Sequence, residues 1–161
     1  MRRTWAPRGH TPSHHRGDRH ARLSVTGAIP VSPCQKRLGL YFSMAQGHVT
    51  GDALCTFVQQ LPSRLKRPLL LIGERCRGHK QAARLLRDIY GHRSHVAFLP
   101  AYAPALNVVA QAWGHTTYGD MANFIPYDGD DLAQEVARAL LMKQGRPDLR
   151  KAFFQHARLD L

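Results

Sequence analysis

The sequence predicts an α/β fold, a mixed β-sheet flanked by helices, in one domain spanning residues 1–161. Two observations carry this. A pair of β-prone runs joined by a turn lies near the start, and further on a strand, helix, strand succession forms a crossover that makes its two strands parallel. Amphipathic helical patterns at the C-terminal end supply the cover. With 43% hydrophobic residues in 161, the chain is long enough to bury a core.

Residues 1–20 read as a basic arm. Arg2, Arg3, Arg8, Arg16 and Arg19 alternate with His10, His14, His15 and His20, and Pro7, Gly9, Pro12 and Gly17 break any helix. No regular element fixes the spacing of the four histidines, so they read as solvated rather than as a metal site. The sheet and helix core is assigned to residues 21–124. Leu23, Val25 and then Ala28 or Ile29 alternate in the first run, Arg37–Met44 is the second, and Pro30–Lys36 is the turn of an antiparallel hairpin. Asp52 is the expected N-cap of a helix with Ala53, Leu54, Phe57, Val58 and Leu61 on one face, ended by Pro62.

Pro68-Leu-Leu-Leu-Ile72 is a continuous apolar run, the pattern of a strand buried on both faces. The helix after it turns Ala82, Ala83, Leu85, Leu86, Ile89 and Tyr90 inward, and a strand follows at Val96. Pro100 and Pro104 then bend the chain into a helix whose inner face is Leu106, Val109, Ala110 and Trp113. Residues 125–161 hold the C-terminal helices, one from Asp130 to about Lys143 and one opened by Pro147 and carrying Leu149 and Phe153. Strands in antiparallel order, a crossover to a parallel strand and terminal helices suit a ribonuclease-H-like arrangement among other mixed α/β sheets.

Lysine and arginine outnumber aspartate and glutamate 23 to 11, a formal charge of +12 spread along the chain. A field of that sign favours polyanions, nucleic acid first. Cys34, Cys55 and Cys76 are odd in number and form no CxxC pair, so neither a disulfide framework nor a zinc site is indicated, and a reducing cytoplasm fits best. No apolar run is long enough to span a bilayer, and the N-terminus lacks an apolar signal core.

Cleavage or transfer of a phosphodiester on such a sheet takes carboxylates that hold two divalent ions about 3.5–4 Å apart, because Mg²⁺ prefers hard oxygen ligands. Strand ends are the useful places. Glu74, directly after the apolar run, is the candidate catalytic and metal-binding carboxylate, but the strand ending at Leu99 and the helix from Leu106 to Trp113 hold no acid. Asp120 falls only near that helix's end. His79 either touches a phosphate, caps the next helix or faces solvent. Arg2, Arg3, Arg8, Lys80 and Arg84 are candidate phosphate contacts, and Trp5 either stacks on a base or anchors the arm.

Several motifs in order resemble one family: Arg2-Arg-Thr-Trp-Ala-Pro-Arg-Gly-His-Thr-Pro12, Leu23-Ser-Val-Thr-Gly-Ala28, Leu70-Leu-Ile-Gly-Glu-Arg-Cys-Arg-Gly-His79, Leu99-Pro-Ala-Tyr-Ala-Pro-Ala-Leu-Asn-Val-Val-Ala-Gln-Ala-Trp113 and Tyr118-Gly-Asp-Met-Ala-Asn-Phe124. Together they resemble the catalytic domain of the DDE transposases of bacterial insertion sequences, the six-thirty family within the mariner superfamily. The resemblance implies a ribonuclease-H-like fold, Mg²⁺ or Mn²⁺, DNA as partner and strand cleavage and transfer at transposon ends. A second copy of the chain remains an open alternative as a further partner. It also implies a bacterial cytoplasm, associated with the nucleoid, and three acids.

The departures from the family pattern concern those acids. The first lies upstream of the Arg-Arg-Thr-Trp motif, which here opens the chain, so its strand is expected to be absent and the copy truncated. Glu74 stands at the second position, where the family has Asp. Ala110 stands at the third, where the family has Glu, and its spacing from Glu74 fits the family's short interval. Ala105 and Val108 replace the Asp and Pro of the same motif, and Asn107, beside the vacated position, is expected to cap the helix. The expectation is a degenerate transposase domain that retains at most DNA binding, with no ion bound productively. Alternatives are a domesticated DNA- or partner-binding protein on the same scaffold, and a residual metal-dependent nuclease that recruits Asp18 or Asp120.

Overall fold

The structure, a computed structural model, describes residues 8–9, 22–34, 37–61 and 69–159. Arg2, Arg3, Trp5, Asp18, Pro62 and Pro68, and with them most of the basic arm, lie outside the described residues.

The antiparallel hairpin forms, but its second strand begins at Tyr41 instead of Arg37 and every residue of its first strand is half-buried instead of alternating. β1 (Leu23–Ala28) pairs antiparallel with β2 (Tyr41–Gln46), Leu23 opposite Gln46 and Ala28 opposite Tyr41. Between them the chain folds back through a Val31–Leu38 bridge, and the Gly39 N–H donates to the Pro30 carbonyl at 3.0 Å. α1 (Gly51–Gln60) follows. Its N-cap is Thr50 rather than Asp52: Thr50 is the last residue with extended backbone (ψ 167°), and its hydroxyl accepts from the Ala53 N–H at 3.2 Å. Asp52 instead occupies the first turn, where its charge suits the helix dipole, and its carboxylate accepts from Gln81 Nε2 at 3.0 Å.

β3 (Leu69–Gly73), α2 (Arg77–Tyr90) and β4 (Ser94–Phe98) make the expected crossover, with the strands parallel and Leu69 opposite Ser94. The buried face of α2 is narrower than the sequence pattern. Ala82, Ala83 and Leu86 are buried, but Ile89 and Tyr90 in the last turn are exposed because the helix runs on past the elements that cover it. α1 and α2 cross closely, since a Cβ on Gly51 would lie 2.5 Å from Gln81 Cβ.

Two features differ from the expectation. The hairpin and the parallel pair are separate two-stranded sheets rather than one mixed sheet. Leu70 and Ile72 are also each 64% exposed, so β3 is covered on one face only. An apolar run records only what a strand could bury, and among the described residues no element lies over the second face.

After β4 a 3-10 turn, Pro104–Leu106, leads into α3 (Val108–His115), which continues through a π-turn at Thr116–Asp120. Ala112 is the buried anchor of α3, Val109, Ala110 and Trp113 are half-buried, and Leu106 is exposed because it belongs to the turn instead of the helix. A Cβ on Gly27 would meet Trp113 at 3.1 Å and Val109 at 3.3 Å, so the missing side chain lets α3 lie directly on β1. α4 (Gly129–Gln144) and α5 (Pro147–His156) complete this half, as the periodicity predicts, and bury Val136, Ala139, Leu140, Phe153, Phe154 and Ala157.

Candidate functional site

The site is built where the two halves touch. Gly73 ends β3, its carbonyl accepts from the Leu99 N–H at 2.9 Å, and Glu74 begins the connection to α2. The loop after Leu99 returns to the same corner at Asn107. Asn107 Nδ2 donates to Glu74 Oε1 at 2.7 Å, and Asn107 Oδ1 accepts from the Val109 N–H at 3.0 Å. One side chain therefore caps α3, as expected, and ties it to the end of β3. Tyr102 stands within this loop with φ 57° and full exposure.

Ala110 is the third residue of α3 after the Asn107 cap, the position from which a glutamate side chain reaches back toward the cap. Asn107 thus joins Glu74 to the first turn of α3, which carries Ala110, and of these three only Glu74 is a carboxylate. Glu74 is exposed. His79 sits in the first turn of α2, and its Nδ1 lies 3.1 Å from the Glu74 carbonyl oxygen, so it neither caps α2 nor faces solvent freely. The N-cap of α2 is Cys76, which makes no side-chain cap bond.

Among the described residues no group of three or more His, Cys, Asp or Glu side chains could hold an ion, so the described donors alone do not fit a two-ion centre. Asp120 is committed elsewhere. It pairs with the buried Lys143, whose Nζ also donates to the Ala139 carbonyl at 3.3 Å, and lies 3.5 Å from His115 Nδ1.

Sequence reading singled out Lys80 and Arg84 but missed two cations in register with them. Arg77, Lys80, Arg84 and Arg87 are all exposed on α2 at alternating spacings of three and four, which puts them on one stripe. The spacing itself was the available signal. None of the four has an ion-pair or hydrogen-bond partner for its side chain among the described residues. At the stripe's far end Arg87, Gly91, His92, Ser94, His95 and Val96 line an open cleft of about 340 Å³. Arg8 is exposed in a turn at Gly9.

The corner thus holds one exposed carboxylate at a strand end, tied to the cap residue of the neighbouring helix within a mixed α/β frame. The family model for the DDE superfamily endonucleases matches residues 1–121, and the chain belongs to that family. Its members act on DNA and typically use divalent metals. No curated protein and no solved structure matches the chain. No helix among the described residues is long and apolar enough to cross a membrane.

Proposed function

We propose that this is a transposase-like DDE domain of the bacterial insertion-sequence type, within the mariner superfamily, that binds DNA without cleaving it. The carrying observation is the state of the acid corner. Glu74 spends one carboxylate oxygen on Asn107, and Ala110 offers no ligand at the position one turn into α3. A neutral methyl group cannot supply the charge and the oxygen that a hard divalent ion requires, so among the described residues a two-ion mechanism has no second anchor beside Glu74. The pairing of Asp120 with Lys143 argues against its recruitment as a substitute.

A ribonuclease-H-like arrangement is part of the same reading. It is supported by the order of the hairpin, the parallel pair and the terminal helices, and by the placement of Glu74 at a strand end beside α3. DNA binding is supported by the +12 charge and by the cations left unpaired on α2.

The test is a supercoiled plasmid incubated with the purified chain and Mn²⁺. No nicking above background is expected, while a salt-sensitive gel shift of the same DNA is. Nicking that disappears in Glu74→Gln would overturn the inactive reading, and DNA binding indifferent to salt would overturn the binding one.

A further inference from the structure

We infer that the outer face of α2 is a track for the backbone of double-stranded DNA, formed by Arg77, Lys80, Arg84 and Arg87. The inference rests on the reading that this chain binds DNA and assigns the contact to one helix face.

At ~100° per residue the four side chains fall within an arc of about 80°, and at ~1.5 Å per residue they span about 15 Å of helix. The phosphates of one B-DNA strand rise by ~3.4 Å along the axis but lie farther apart along the winding backbone, so a straight stripe of this length faces a short run of them. The opposite face of the helix is occupied by Ala82, Ala83 and Leu86 in the core, which fixes the cationic face outward. One carboxylate, Asp88, shares the exposed side of the helix. Arg75, exposed just before the helix, extends the positive surface toward the Glu74 corner.

Exposed cations are common, and a solvated helix face is the ordinary explanation. What sets this helix apart is concentration: Arg22, Arg37, Lys151 and Arg158 are also exposed with no side-chain partner among the described residues, but they stand singly. Arg138 donates to Glu135, Arg146 to Asp148, Lys143 to Asp120, and Arg150 to the carbonyls of Lys143 and Gln144. Where the chain uses cations for its own stability it gives them partners. The α2 stripe concentrates four without any, at mutual repulsion that each like-charged pair at helical spacing makes slightly worse. A polyanion removes that repulsion.

Binding of a fluorescent duplex is measured from low to moderate salt for the wild type, for Arg84→Gln/Arg87→Gln and for Arg138→Gln/Arg146→Gln, with circular dichroism to confirm the fold. Both double variants lose the same charge. The stripe variant is expected to lower the slope of log K against log salt by about 1.8, roughly 0.9 per lost phosphate contact, and the control to leave it near the wild-type value. Equal slopes for the two variants, or tighter binding of a single strand than of the duplex, would overturn the track while leaving DNA binding standing. A wild type with no salt-dependent binding would overturn both.

Discussion

The two halves of this molecule spend their charge differently. In the half built from the β1–β2 hairpin, α3, α4 and α5, four basic side chains are tied into the structure, two of them buried: Lys143 at 2% and Arg150 at 8% exposure. In the half built from α1, α2, β3 and β4, the lysine and arginine side chains of α2 stand in solvent without partners among the described residues. The first half closes a core around Leu140, Phe153 and Phe154. The second leaves Leu70 and Ile72 in the open and relies on the crossing of two helices. The difference separates cations that support the fold from cations available to a partner.

Removing a cation from each half is the sharpest way to break the comparison. Lys143→Ala strands Asp120 and empties a buried site, and is expected to cost about 3 kcal/mol, the low end for a broken buried pair because Asp120 is partly exposed. For a domain of this length that lowers Tm by roughly 6–12 °C. Arg84→Ala, on the exposed stripe, should change stability by no more than about 0.5 kcal/mol. Thermal melts of the two variants decide it. Comparable losses would mean that the stripe is structural after all.

Much of this contrast was legible in the sequence, but unevenly. The hairpin, the parallel crossover, the Asn107 cap and the helix opened by Pro147 all follow from period and punctuation, which act within a few residues. The burial of β3 did not follow, because hydrophobicity belongs to a residue and burial to whatever is packed upon it. Ile89 and Tyr90 fail for the same reason. Glu74 and Ala110 could be placed in one site only by resemblance; the bond from Asn107 to Glu74 is a contact between distant segments that no local pattern encodes. Arg77 and Arg87 were missed where the signal was present, because each cation was read singly and not by its spacing.

The α2 half can be tested for its dependence on close helix contact. An Ala Cβ at position 51 would lie 2.5 Å from Gln81 Cβ, an atom that cannot move unless α2 moves, so Gly51→Ala is expected to cost about 1–3 kcal/mol. At position 78 the nearest atom is Leu54 Cδ1, at 3.3 Å and at the end of a mobile side chain. Gly78→Ala should therefore be neutral or gain up to about 1 kcal/mol from helix propensity. Denaturant midpoints compare the two. A harmless Gly51→Ala would show that the helices are farther apart in solution and that this half is looser still.

The smallest effect concerns the most exposed of the paired cations. The Arg146 guanidinium donates to both Asp148 oxygens and holds that carboxyl down at about 2, against an ordinary 3.8. A depressed folded-state value gives stability that is present above the unfolded value and lost as pH falls through the folded one, so the loss lies between about pH 4 and pH 2. Both partners are well exposed, at 61% and 63%, so salt should weaken the pair and its effect on a melt at neutral pH should be negligible. The informative measurement is the titration of the Asp148 carboxyl by NMR, with a midpoint near 2 in the wild type and a return toward 3.8 in Arg146→Gln. A wild-type midpoint already at 3.8 would mean that Arg146 is unpaired in solution. Lys151 and Arg158 are already exposed and unpartnered among the described residues of the C-terminal half, so the pairing contrast would then rest on Lys143, Arg150 and Arg138, two of which are buried and cannot serve as fair controls for an exposed helix face.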